Sequence, residues 1–154
     1  MTVTVNDPVL PDVKELFDLL VAQPGWSVPP NKGLPARRWC QYGIPVVTCE
    51  ELAMGVLNLR EEDVVPGAPQ CGTLQLADLM VVVGRECGDE STNEGSTDIP
   101  AAEQNAVYMD ADTTVLRDWL DQIEVSPTSP VSFGYAVEGG IAYVTLNVAV
   151  RLGW

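Results

Sequence analysis

The chain has 154 residues, 46% of them hydrophobic, enough for one domain with a sizeable core, and it holds no run of ~18 apolar residues of the kind that spans a bilayer. Twenty-two acidic residues against eight basic ones give a formal charge of −14 and a sequence pI near 4.1, which excludes nucleic-acid binding through clustered Lys and Arg. Histidine is absent, removing the commonest general base and metal ligand, and Cys40, Cys49, Cys71 and Cys87 stand at gaps of 9, 22 and 16 residues, which match no zinc template.

Residues 1–8 lack the basic-then-apolar pattern of a secretory signal, so a cytosolic chain with free, partly buried thiols is expected. A first helix is predicted over residues 7–22. Asp7 is its N-cap and Pro8 its first helical residue. Val9, Val13, Leu16, Phe17 and Leu20 form its apolar stripe, and Pro24-Gly25 stops it. Residues 24–38 hold four prolines and two glycines and read as a loop. Lys32, Arg37 and Arg38 make it a basic patch on an acidic molecule.

The run Ile44-Pro45-Val46-Val47 predicts a short edge or irregular strand, because proline cannot donate to a ladder. Glu50 to Arg60 and Thr73 to Glu86 predict two long strands paired antiparallel across a turn-rich connection. In the first, Ala53, Gly55, Leu57 and Leu59 share one face. Residues 88–100 are polar, acidic and aperiodic, and a mobile loop or arm is expected there. A second helix follows over residues 100–124, capped by Asp98 or Ile99. Its inward face is Ala102, Ala106, Met109, Leu116, Trp119, Leu120 and Ile123; Asp110, Asp112, Arg117, Asp118 and Asp121 face water.

The C-terminal stretch 129–154 predicts a β-hairpin. Val131, Phe133, Tyr135 and Val137 alternate with polar or small residues. After Gly139-Gly140, which supplies the positive φ of a tight turn, Ala142, Val144, Leu146, Val148, Val150 and Leu152 fall on one face. The expected fold is a single α+β domain, an antiparallel β-sheet with two helices packed on one face.

This element order, with Cys49-Glu50-Glu51-Leu52 and Cys71-Gly72 opening the long strands, resembles the neck and tail-terminator proteins of long-tailed bacteriophages, particularly those of actinobacterial hosts. Val83-Gly84-Arg85-Glu86-Cys87 closing the second strand, the helix end Leu116-Arg117-Asp118-Trp119-Leu120 and the Gly-Gly hairpin belong to the same resemblance, which spans residues 40–152. It implies a virion protein, assembled in the host cytoplasm, that forms a homo-oligomeric ring, often a hexamer. Such a ring ends the tail tube and joins it to the head connector. The implied partners are further copies of the chain, the tail tube protein and the connector or stopper protein, with DNA passing through the lumen unbound and no membrane or cofactor involved.

No nucleophile–base pair, phosphate loop or metal cluster is legible, so no catalytic, cofactor or metal residue is assigned. The bases Lys32, Arg37, Arg38, Arg60, Arg85, Arg117 and Arg151 are the candidates to meet a neighbour's carboxylates. The alternatives are a head-completion or stopper protein and, from another class, a small acidic ligand-binding domain or enzyme.

Overall fold

A computed structural model describes residues 11–86 and 101–152. The assignments made to Asp7, Cys87, residues 88–100 and the Ala102 side chain lie outside what is described. In chain order the elements are α1 (Pro11–Val21), β1 (Arg37–Tyr42), β2 (Glu51–Asp63), β3 (Thr73–Glu86), α2 (Ala101–Leu120), β4 (Ser132–Glu138) and β5 (Ile141–Arg151). The strands form one sheet in the order β1-β2-β3-β5-β4. Antiparallel ladders join β2 to β3, β3 to β5 and β5 to β4, while β1 runs parallel to β2. The fold is α+β, with both helices on one face of the sheet.

That face carries the core. Leu52, Met54 and Val56 of β2, Leu79, Val81 and Val83 of β3, and Val144, Leu146, Val148 and Val150 of β5 meet Val13, Phe17 and Leu20 of α1 and Val115, Leu116 and Trp119 of α2. Each such aliphatic side chain, once buried, contributes about 1.5–3 kcal/mol. Two indoles are buried with their N–H groups satisfied by α1 backbone. Trp26 Nε1 donates to the Leu20 carbonyl at 2.8 Å and Trp119 Nε1 to that of Leu16 at 3.0 Å. On α2 the expected reading needs three corrections. Ala106 is exposed, Asp112, expected in water, is buried, and the helix ends at Leu120, so Ile123 lies beyond it.

The hairpin of β4 and β5 closes at Gly139 and Gly140, with φ of 57° and 79°, as its sequence requires. Every residue of the β5 apolar face from Ala142 to Leu152 is buried. On β2 the alternation breaks at Leu57, where a bulge separates Val56 from Asn58. Two residues of β2 there oppose one of β3, so Leu59 pairs with Ala77 and returns to the helical face. The expected grouping of Leu59 with Ala53 and Gly55 is therefore overturned by the bulge.

The run Ile44–Val47 is not a strand. The strand ends before it, and residues 43–50 carry the chain back across the helix-free face. Parallel neighbours ordinarily need a crossover of a dozen or more residues, usually a helix. Here an extended strap lies directly on the sheet, burying Val47 against Ala53 and Val82 and Pro45 over Gly55. Ile44 and Val46 point outward, 68% and 79% exposed. The close approach is possible because β2 and β3 carry glycine, Gly55 and Gly84, where the strap backbone comes nearest. A Cβ on Gly55 would collide with the Gly43 carbonyl oxygen and lie 2.6 Å from Pro45 Cδ, and one on Gly84 would collide with the Thr48 carbonyl oxygen.

Candidate assembly surface

The densest polar cluster centres on Arg85, at the end of β3. Its side chain and that of Asp112 on α2 are each 1% exposed. Arg85 Nε donates to Asp112 Oδ2 at 3.0 Å and Nη2 to Oδ1 at 2.9 Å, a bidentate pair. Nη1 donates to Glu50 Oε1 at 2.9 Å, and Nη2 also to the Gly33 carbonyl at 2.6 Å. Asn31 Nδ2 donates to Asp112 Oδ1 at 3.0 Å, and the Trp26 ring lies 5.8 Å from the guanidinium carbon. Burial acts to lower the Arg85 pKa, but the Asp112 and Glu50 carboxylates outweigh it and hold the group above its ordinary value. The cluster ties the 24–36 loop, the strap, β3 and α2 together. Arg85 is thereby corrected from a candidate for a neighbour's carboxylate to an internal tie: its charge is already met, out of reach of a partner.

The other bases fall into two groups. Four of them brace the subunit. Lys32 sits 3.7 Å from Glu50 and 4.9 Å above the Tyr108 ring. Arg60 pairs with Asp78 at 3.1 Å and donates to Ser129 Oγ at 2.9 Å. Arg117 stacks 4.7 Å over Phe133, and Arg151 pairs with Glu124 at 3.3 Å. Arg37 and Arg38, at the start of β1, are exposed, as are Lys32, Arg117 and Arg151, but they alone of the six lie on an edge strand. Arg38 Nη1 donates to the Pro35 carbonyl at 2.8 Å. Arg37 is 73% exposed while its Nε lies 3.0 Å from Glu51 Oε2. The Glu51 carboxylate is held below its ordinary value first by the Thr48 amide, then by the Thr48 hydroxyl, with Arg37 adding to them.

Both sheet edges are open among the described strands: β1 pairs only with β2, and β4 only with β5. The two edges differ. On β4 only Phe133 is partly covered; Tyr135 and Val137, on the helical face opposite Val144 and Ala142, are 52% and 53% exposed. α2 touches this strand through Thr113 Oγ1, which donates to Tyr135 Oη at 3.1 Å, and through Arg117 over Phe133. Apolar residues on an uncovered edge mark a surface suited to association. The sequence registered the alternation of β4 but not its exposure, since an edge strand and an inner one share a period of two.

For other chemistry the surface offers little. An open groove of about 380 Å³ between α1 and residues 122–124 is lined by Asp12, Glu15, Leu16, Leu19, Glu124 and Arg151 among others, with Arg151 and Glu124 already paired to each other. Among the described residues no group of three His, Cys, Asp or Glu side chains is arranged to hold a metal ion. Cys40 is partly buried, and burial pushes its thiol up to about 11; Cys49 and Cys71 are free and exposed. No helix among the described residues is long and apolar enough to cross a membrane.

No protein-family model matches the chain. No curated protein matches it either. The surface has to be interpreted from its own geometry.

Proposed function

We propose that this chain is a structural subunit that closes into a homo-oligomeric ring at the head–tail junction of a long-tailed phage, ending the tail tube and joining it to the connector. The observation that carries the assembly half is a sheet open at two unlike edges, one bearing exposed Arg37 and Arg38 and the other exposed Tyr135 and Val137. Unlike edges favour head-to-tail contacts, which close into rings when the rotation permits. The head–tail junction comes from the sequence resemblance, with which the α+β fold is compatible. A ring of subunits each carrying −14 would repel the phosphates of passing DNA within ~8 Å at physiological salt.

Three experiments test this. Light scattering on the purified chain should give a multiple of 16.6 kDa, about 100 kDa for a hexamer; a monomer at every concentration refutes the ring. Particles assembled without the protein should carry abnormally long tails or tails without heads. Leaking, tailless heads would move the chain to the stopper layer, and salt-sensitive sub-micromolar DNA binding would refute the passive lumen.

A further inference from the structure

Resting on the ring reading, we infer that the subunit contact is an antiparallel pairing of β4 with β1 of the next copy, in the register that sets Glu138 opposite Arg37. Strand sense comes first. With β2 pointing up, β1 also points up, β3 down, β5 up and β4 down. A second copy set beside β4 in the same orientation presents an upward β1 to a downward β4. That is the antiparallel ladder, the slightly more stable kind. All helices then stay on one face of a continuous sheet.

Register follows from length and face. β1 has six residues and β4 seven, so full overlap sets 37–42 against 138–133. Phe133, Tyr135 and Val137 of β4 lie on the helical face, as do Arg38, Cys40 and Tyr42 of β1, which pair with Leu52, Met54 and Val56. In this register Val137 meets Arg38, Tyr135 meets Cys40 and Phe133 meets Tyr42, all face to face. The Arg37 amide donates to Glu50 and the Gly43 amide to Val56. By alternation the amides of Arg38 and Cys40 therefore turn to the outer edge, where the ladder needs them. On the opposite face Arg37 lands across from Glu138, which is exposed and in no ion pair among the described residues. Each subunit is strongly acidic, so a contact that sets a base against an acid is the one least opposed by overall repulsion. The pairing also covers Tyr135 and Val137.

The test is cross-linking in a variant with all four cysteines replaced by Ser. Arg37 and Glu138 would form a non-hydrogen-bonded pair with Cα atoms ~4.5 Å apart, inside disulfide range. Within one subunit four strand spacings, ~19 Å, separate β1 from β4. Mixing Arg37→Cys with Glu138→Cys should give one disulfide-linked dimer on oxidation, and the double variant a ladder of multimers. In the natural cysteine background, Arg37→Glu or Glu138→Arg should each weaken association about tenfold, and the two together should restore it. Three outcomes overturn the inference. One is a ring without cross-link or charge-swap rescue, which leaves the ring reading standing. Another is self-linking of Tyr135→Cys alone, which marks a symmetric β4–β4 contact. The last is a wild-type chain that is monomeric throughout, which removes the ring reading as well.

Discussion

Replacing Asp112 by Ala strands a buried guanidinium. The carboxylate accepts two hydrogen bonds from Arg85, at 3.0 and 2.9 Å, and a third from Asn31 at 3.0 Å. Charge-assisted bonds of this kind contribute about 1.5–3 kcal/mol each. Removing one partner of a buried ion pair typically costs about 3–5 kcal/mol. Glu50 still faces Arg85 Nη1 at 2.9 Å and is itself a third exposed, so the loss should fall near the lower end, about 3 kcal/mol. That is a large share of the ~5–15 kcal/mol that holds a domain folded. Urea unfolding followed by far-UV circular dichroism reads the loss directly. A double-mutant cycle with Arg85→Met should give a coupling of about 2 kcal/mol, because the double variant leaves no buried charge uncompensated. A loss below about 1 kcal/mol for Asp112→Ala, or strictly additive variants, would refute the reasoning.

Gly84→Ala should destabilise by about 1–3 kcal/mol, the range for forcing atoms into packed space, because its Cβ would collide with the strap at Thr48; unchanged thermal unfolding would contradict the close approach. Ellman's reagent at pH 8 should label Cys49 and Cys71 quickly and Cys40 slowly, since burial pushes the Cys40 thiol up to about 11; equal rates would place Cys40 on the surface. Glu51 is held below its ordinary 4.5, so its stabilising contribution is present above that pH and disappears as pH falls through its lowered folded value. Glu51→Gln should therefore flatten the acid limb of the stability–pH curve, and an unaltered limb would show that other carboxylates set it.

The sequence carried the regular parts of the fold because they obey one period at a time. The β3 limits, the β4–β5 turn and the buried face of β5 follow from alternation and two glycines. What it did not disclose depends on distant residues. Asp112 reads as one more acid on a polar helix face, and only the third dimension brings Arg85, 27 residues away in sequence, against it. The apolar spelling of Ile44–Val47 suits a strand; it lies as a strap because Gly55 and Gly84 let its backbone come close to the sheet at two points. The bulge at Leu57 has no signature in a run of alternating apolar residues. Of the seven bases proposed to meet a neighbour, burial removes only Arg85, and Arg37 and Arg38 stand apart from the rest by lying on an edge strand, a position that composition does not encode.

The strap also sets an order of construction. Its resting place is made of two strands, Gly55 on β2 and Gly84 on β3, and exists only after those strands have zipped together. The β2–β3 hairpin is joined by a short connection and can form early, while the parallel docking of β1 must wait for that floor. In native-state hydrogen exchange the β1 amides should accordingly open at a lower free energy than those at the centre of β3; equal protection would mean that the strap and its floor form as one unit. A late-forming margin is the part of a subunit that a neighbour can most readily finish, so completion of the fold and closure of the assembly would become a single event.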